Sequence, residues 1–307
     1  ALDLPEPGGC IIGNRPLDTH LAVFEAMGVT VERADKAYHF KGAPRAATIV
    51  LPEFSVTATE NALMAAVQTA GVTVIKLAAA EPHVQELGEF LQKMGARISG
   101  VGTHTLTVEG VAQLRGAQHT IIPDQIEIGT FAALAAATRS KIVLRPVVKE
   151  HLDSVCSALK RVGVQFEMKN DFSELHILPA SNLRAFKVQA MPYPGFPTDL
   201  QAPFAVLATQ AQGTSLIHDP LFEGRMAYVH ELVKMGANAI VADPHRVIIS
   251  GATPLYGQEI QSLDLRAGAT LVIAGLVAQG TTVLTGAEVI DRGYEQIEER
   301  LQKIGVK

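Results

Sequence analysis

The sequence predicts a mixed α/β (α+β) protein of two domains, each assembled from repeated βαβαββ units. Three observations lead there. At 307 residues the chain is longer than one hydrophobic core usually fills. Its composition, 48% hydrophobic and 19% charged with 26 glycines and no tryptophan, is that of a globular protein holding both helices and strands. The third observation is self-similarity. A phrase reading helix, glycine, small or β-branched residue, strand recurs at Met27-Gly28-Val29, Met94-Gly95-Ala96, Val162-Gly163-Val164, Met235-Gly236-Ala237 and Ile304-Gly305-Val306, with glycine spacings of 67, 68, 73 and 69.

A second phrase keeps step with the first, at Gly71-Val72-Thr73, Ser140-Lys141-Ile142, Gly213-Thr214-Ser215 and Gly280-Thr281-Thr282. Each Gly or Ser is expected where a helix ends in a left-handed residue and a strand begins. Apolar residues ahead of it follow helical spacing, as Phe131, Leu134 and Ala135 do, or Leu271, Ala274 and Ala278. One period therefore holds a helix, a strand, a second helix and two more strands, the last exemplified by Thr105 to Glu109 and by Arg246 to Ser250. With a lead-in strand this is the split βαβ pattern, whose strands share one sheet with both helices on one face. The units run from about Phe54 to Pro123, Asp124 to Gly195, Phe196 to Ser262 and Leu263 onward, with part of a unit before Phe54. The domains are accordingly drawn at 1–123 and 124–307. The first holds half a unit and one full unit; the second holds three units, the last without its final hairpin.

Charge and composition narrow the function. A net charge of −5 without a Lys/Arg block gives no nucleic-acid surface, so a small-molecule substrate is expected. Two cysteines, Cys10 and Cys156, make no disulfide framework and suit a reducing cytoplasm, and no secretory leader is read. The uncharged run from Ala267 to Ala287 has the length of a membrane span. Its glycines and threonines, and the break at Gln279-Gly280-Thr281, make it a buried helix followed by a strand instead. Phosphate-loop, dinucleotide and zinc motifs are absent, and no cofactor or metal is expected.

The densest chemistry lies in Pro7-Gly8-Gly9-Cys10-Ile11-Ile12-Gly13-Asn14-Arg15-Pro16-Leu17-Asp18, where a thiol, a guanidinium and a carboxylate share a loop shaped by glycine and proline. Cys10 reads either as a small core hydrophobe or as an exposed thiol whose pKa Arg15 alters, able to act as acid or nucleophile. Cys156 shares helical spacing with Leu152 and Leu159 and is expected in the core. The first helix of three units opens on an acid, Asp124, Asp199 and Asp264, the ordinary place for an N-cap carboxylate. Around Asp199, however, Pro192, Pro194, Gly195 and Pro197 build a rigid approach that a cap does not need. The second helix carries arginines at nearly equivalent places, Arg15, Arg225 and Arg292. Cations there run against the usual helix preference and point to a shared anion gripped by guanidinium; surface pairing with Glu223 or Asp291 is the alternative.

With these stretches in hand, the chain resembles the enolpyruvyl transferases, and among them the UDP-N-acetylglucosamine 1-carboxyvinyltransferase family, along essentially its whole length. The resemblance rests on the Pro7-to-Asp18 loop, Pro194-Gly195-Phe196-Pro197-Thr198-Asp199-Leu200-Gln201, Asp264-Leu265-Arg266-Ala267-Gly268 and Ile290-Asp291-Arg292-Gly293-Tyr294. It implies an inside-out α/β barrel architecture of the enolpyruvyl transferase type and a cytoplasmic enzyme of peptidoglycan synthesis. The implied reaction moves the enolpyruvyl group of phosphoenolpyruvate to the 3′-hydroxyl of UDP-N-acetylglucosamine and releases phosphate. These two small molecules are the implied partners, with no nucleic acid and no membrane. Among the implied catalytic residues, Cys10 protonates the methylene carbon and is the fosfomycin target, Asp199 contacts and deprotonates the sugar hydroxyl, and Arg15 and Arg292 hold the phosphoenolpyruvate anion. Arg15, Pro16, Leu17, Asp18 and Thr19, with Ser55 and Val56, match segments that bind the uridine and diphosphate. Leu221 matches a residue beside the acetylated sugar, and Arg266 another basic group of the cleft.

Several positions differ from the better-known members. Glu53 stands where they have lysine, Thr57 where they have glycine, Gln125 where they have arginine, and Glu223-Gly224-Arg225-Met226 where they have Glu-Asn-Arg-Phe. An early Lys-Asn pair is not found. These differences, and a repeat that opens in mid-unit, lead to the expectation that roughly the first 100 residues of the pattern are lacking and that the chain by itself is inactive. They also keep open a non-catalytic paralogue that binds a sugar nucleotide. The sister activity that makes 5-enolpyruvylshikimate 3-phosphate shares the architecture but lacks the Gly-Gly-Cys loop.

Overall fold

The computed structural model describes residues 2–5 and 17–306, which divide into two compact units. One comprises residues 2–5, 17–122 and Pro192–Pro194; the other comprises Pro123–Met191 and 195–306. Among the described residues no helix is long and apolar enough to cross a membrane.

The first unit opens with β1 (Leu2–Pro5), α1 (Asp18–Ala26), β2 (Thr30–Ala34) and β3 (Ala37–Lys41), the strands forming an antiparallel sheet in the order β1-β3-β2. It continues with β4 (Thr48–Val50), α2 (Val56–Ala66), β5 (Val72–Lys76), α3 (Pro82–Lys93), β6 (Arg97–Ser99) and β7 (Thr105–Glu109). Their sheet runs β4-β5-β7-β6, with β4 and β5 parallel and the rest antiparallel, which is the split βαβ order. Alternation within β5 and β7 sends Thr73, Ile75, Leu106 and Val108 inward against Leu63 and Ala66 of α2.

The second unit begins with α4 (Gln125–Ala137), β8 (Ile142–Leu144), α5 (Asp153–Val162), β9 (Phe166–Lys169) and β10 (Glu174–Ile177), with sheet order β8-β10-β9. Then come β11 (Lys187–Gln189), α6 (Gln201–Thr209), β12 (Gly213–His218), α7 (Tyr228–Lys234), β13 (Ala239–Asp243) and β14 (Arg246–Gly251). Their order, β11-β12-β14-β13, repeats that of the β4 sheet strand for strand. The last stretch holds β15 (Glu259–Gln261), α8 (Leu265–Val277), β16 (Val283–Thr285) and α9 (Ile297–Lys303), with β15 and β16 parallel.

The first repeated phrase has one physical meaning at all five places. Gly28, Gly95, Gly163, Gly236 and Gly305 take φ between +82° and +105°. The residue after each donates its N–H to a carbonyl five residues back: Val29 to Phe24, Ala96 to Leu91, Val164 to Leu159, Ala237 to Leu232 and Val306 to Leu301, at 2.9–3.1 Å. This is the helix-closing loop that only glycine adopts without strain. Two expectations need correction. The left-handed residue after α4 is Arg139 (φ +54°) rather than Ser140, whose N–H makes the five-residue bond to Ala135 at 2.8 Å. The unit starting at Asp124 also has no lead-in strand. Residues 118–123 form no strand because their bonding goes elsewhere: Ile122 N–H donates to Glu86 Oε1 at 2.7 Å, His119 Nε2 meets the same oxygen at 3.1 Å, and Pro123 has no N–H.

The centre of the second unit is made by α4, α6 and α8, which pack against one another. Nearly all of α4 and every residue of α6 is buried, so these helices are apolar all round instead of carrying one stripe. Gly129 lets the turn before α6 sit directly on α4, and Gly268 lets the 287–292 turn sit directly on α8. A Cβ on Gly129 would lie 2.4 Å from Leu200, and one on Gly268 would lie 2.6 Å from Ile290. Phe204 of α6 makes edge-to-face contacts with Phe196 and Phe186, at 4.9 and 6.1 Å between ring centres. Phe204→Ala is expected to lower stability by about 3–5 kcal/mol in urea unfolding, whereas the exposed Ile240→Ala should cost under about 0.5 kcal/mol. Equal losses would contradict this placing of the core.

Candidate active site

Two of the three acids that open first helices are caps. Asp124 Oδ1 accepts from the N–H groups of Ile126 and Glu127 at 2.7 and 3.3 Å, and Asp264 Oδ1 accepts from those of Arg266 and Ala267 at 2.8 and 3.0 Å. Asp199 is not a cap. It lies in a 3₁₀ turn, Thr198–Leu200, that leads into α6, and both its oxygens face arginines. Arg225 Nη1 donates to Oδ1, and Arg266 Nε donates to Oδ2 at 3.0 Å. The three side chains are only 26%, 14% and 20% exposed. Burial by itself would push the Asp199 carboxyl up, but the two guanidinium groups outweigh it and hold it below the usual carboxylate range.

Each arginine is set by its own support. Arg225, in the turn between β12 and α7, lies over the Phe222 ring at 4.8 Å, and Arg266, the second residue of α8, lies over the Tyr294 ring at 5.3 Å. Arg225 Nε and Arg266 Nη1 are buried with no hydrogen-bond partner among the described residues. The site therefore holds an ionised carboxylate beside unused cationic N–H groups. It also sits where α6 and α8 begin, so the positive ends of their dipoles favour a further anion.

Leu221 and Asp199 are brought to one neighbourhood by the buried Asp219. This carboxylate accepts from Thr198 Oγ1 at 2.5 Å and from Leu221 N–H at 3.0 Å, and the Leu221 side chain is exposed. Arg292 closes a 3₁₀ turn, Ala287–Arg292, and is exposed. Arg225 turns to Asp199, so the alternative pairing with Glu223 is not the one formed.

In the first unit, Leu17, Asp18 and Thr19 begin α1, while Ser55 and Val56 begin α2. Ser55 Oγ caps α2 by accepting from Ala58 N–H at 3.3 Å. The two helix starts are tied by Thr19 Oγ1 donating to Glu53 Oε1 at 3.0 Å. At the next residue, the His20 ring lies between Asn61 (Nδ1, 2.8 Å) and Thr57 (Nε2, 3.2 Å), and burial pushes its pKa down. Glu53 and Thr57, two positions that differ from the family pattern, thus contact adjacent residues of α1. Cys10, Arg15 and Pro16 lie outside the described residues. Cys156 is half-buried against the core of the second unit, and its thiol is pushed up to about 11 by burial and then by Asp153. Among the described residues no group of three or more His, Cys, Asp and Glu side chains is placed to hold a metal ion.

Comparison with known proteins gives this geometry its family. The family profile described as EPSP synthase (3-phosphoshikimate 1-carboxyvinyltransferase) matches residues 6–301, which defines the class as carboxyvinyl transferases. UDP-N-acetylglucosamine 1-carboxyvinyltransferase 2 of Geobacillus kaustophilus is 43% identical over 300 residues, covering 97% of this chain and 69% of that protein. UDP-N-acetylglucosamine 1-carboxyvinyltransferase of Halothermothrix orenii is 45% identical over 304 residues, covering 97% and 71%. The chain belongs to the UDP-N-acetylglucosamine 1-carboxyvinyltransferase family of enolpyruvyl transferases. Among solved structures, the enolpyruvyl transferase NikO from Streptomyces tendae superposes with a TM-score of 0.85 at 26% identity, over 96% of this chain and 72% of that one. EPSP synthase from Acinetobacter baumannii shares the fold alone, with a TM-score of 0.73 at 19% identity over 95% and 71%.

Two consequences follow for measurement. Asp199→Asn leaves two guanidinium groups facing a neutral amide and should cost about 1–3 kcal/mol at pH 7, allowing for partial exposure. Because the folded carboxyl pKa lies below the unfolded value of about 3.9, the wild-type advantage is present above about pH 4 and disappears as the pH falls through the lower folded value. Urea midpoints that do not differ at pH 7 would contradict the pairing. In a Cys10→Ser background, Cys156 should resist alkylation by iodoacetamide at about pH 7.5 in the folded protein and react once it is unfolded, as the raised thiol pKa requires.

Proposed function

We propose that this protein transfers the enolpyruvyl group of phosphoenolpyruvate to the 3′-hydroxyl of UDP-N-acetylglucosamine with release of phosphate, in the cytoplasm, as the first committed step of peptidoglycan synthesis. The observation that carries this reading is Asp199, an ionised carboxylate that gives up helix capping to lie between Arg225 and Arg266. Relatives at 43–45% identity that bear this activity in their names support it.

In this reading the sugar oxygen adds to C2 of phosphoenolpyruvate as C3 gains a proton, giving a tetrahedral adduct. Loss of a C3 proton and cleavage of the C2–O bond then release phosphate and leave the enol ether. Asp199 accepts the hydroxyl proton. Held ionised by two arginines, it is a weak base until the incoming anion draws a guanidinium toward itself. Cys10 serves as the acid at C3 and as the point of fosfomycin attack, and Arg15, Arg292 and Arg266 supply positive charge around the donor. Arg15, Pro16, Leu17, Asp18, Thr19, Ser55 and Val56 bind the nucleotide, and Leu221 lies beside the acetyl group. The domains are 1–123 and 124–307.

The test is phosphate release by the full-length protein. Turnover of phosphoenolpyruvate is expected only with UDP-N-acetylglucosamine present, and Asp199→Asn and Cys10→Ser should each lower kcat by at least about 100-fold while nucleotide binding persists. Nucleotide binding without any phosphate release by the wild-type protein would favour the second reading, a non-catalytic paralogue. That reading draws on Glu53, which stands where better-known members have lysine and accepts a hydrogen bond from Thr19.

A further inference from the structure

We propose that Tyr294 is a positioning residue that fixes the plane of the Arg266 guanidinium against Asp199, by a buried hydroxyl relay anchored on α4. The proposal rests on the reading of Asp199 as the base, and goes beyond it in assigning a residue that no hydrogen bond joins to Asp199.

The relay has a determined direction. Thr130 Oγ1 donates to the Ile126 carbonyl at 2.8 Å and lies 2.8 Å from Tyr294 Oη. A hydroxyl has one proton, so Thr130 accepts at the second contact and Tyr294 donates. Tyr294 is fully buried and Thr130 nearly so, and burial pushes the phenol pKa up, which keeps that proton in place. With its proton committed, the phenol oxygen has only lone pairs to present to its surroundings, and the ring presents its electron-rich face to Arg266 at 5.3 Å.

Arg266 needs this support. Its Nε is used by Asp199 Oδ2 and its buried Nη1 has no hydrogen-bond partner among the described residues, while the Tyr294 hydroxyl, with its lone pairs free, attracts the guanidinium beside it. The residue before the tyrosine is fitted to the same contact. A Cβ on Gly293 would lie 2.6 Å from Leu265 Cδ1 and 3.5 Å from Arg266 Nη1. The relay crosses three stretches distant in sequence, with Thr130 on α4, Arg266 on α8 and Tyr294 just before α9. The charged and titratable groups around the pair within this unit are Arg225 on the turn before α7, Asp264 and Arg266 at the start of α8, Asp124 at the start of α4, and Tyr294 itself.

A buried tyrosine that serves packing alone makes a different prediction, so the test reads the Asp199 carboxyl directly. Carbon-13 NMR titration of the Asp199 side chain in the full-length protein should show its pKa rising by about one unit in Tyr294→Leu, which removes ring and relay, and by about half as much in Tyr294→Phe, which keeps the ring and cuts the relay. In turnover, Tyr294→Leu should lower kcat roughly tenfold, leave KM for UDP-N-acetylglucosamine within about twofold, and move the acid limb of the pH profile upward, with Tyr294→Phe falling between it and wild type. A folded Tyr294→Leu protein with an unmoved Asp199 titration overturns the proposal. If that variant does not fold, Thr130→Val, which removes the acceptor and leaves the ring, decides: a smaller upward shift is expected, and none overturns it. Failure of the wild-type protein to release phosphate would defeat the enzymatic reading alone, since the titration does not depend on turnover.

Discussion

The mutual burial of α4, α6 and α8 is the constraint from which the second unit follows. Helices wrapped by protein on every side, as α4 and α6 are, cannot hold charge along their length, so polar chemistry is driven to their ends. That is where Asp124, Asp199 and Asp264 stand. Two of these acids satisfy free N–H groups at helix starts, and the third is released from that duty because a 3₁₀ turn precedes α6. The glycines at 129 and 268 cost helix propensity and return close packing of the turns at 198–200 and 287–292 against α4 and α8.

The same packing explains how a carboxylate and two arginines coexist in a half-buried place. Removing three charges from water is unfavourable unless each finds a partner or a ring face. Asp199 takes one N–H from each arginine, and each guanidinium lies on an aromatic ring, Phe222 for one and Tyr294 for the other. What remains is surplus donor capacity on the arginines, beside an acid that already accepts once on each oxygen. An arrangement of that sign is matched to an anionic ligand.

Much of this was legible in the residues. The period near 70 residues follows from glycine spacing because a left-handed helix stop is a steric demand few other side chains meet, and the five glycines adopt it. The special standing of Asp199 could be read from the prolines before it, and Arg225 from its equivalent place in the repeat. Other features could not be read, for identifiable reasons. Ser140 marked the second phrase although Arg139 is the strained residue, because a backbone sign leaves no trace when the residue is neither Gly nor Asn. The absent lead-in strand before Asp124 depends on Glu86, more than thirty residues away, capturing Ile122 N–H. Asp219, Thr130 and Tyr294 gain their roles only from tertiary neighbours, and no spacing rule connects Thr130 to Tyr294 across 164 positions.

Arg139 also shows how labour is divided along α4. Its siblings in the repeat give the left-handed position to glycine, while this helix spends roughly 1 kcal/mol holding a side chain there. The opposite half of the same helix carries the Asp124 cap and, six residues on, the Thr130 anchor of the polar cluster. One terminus is therefore committed to chemistry and the other is a reserve of unclaimed stability. An evolving lineage could draw on that reserve to offset costly changes near Asp199 without moving any atom of the charged cluster.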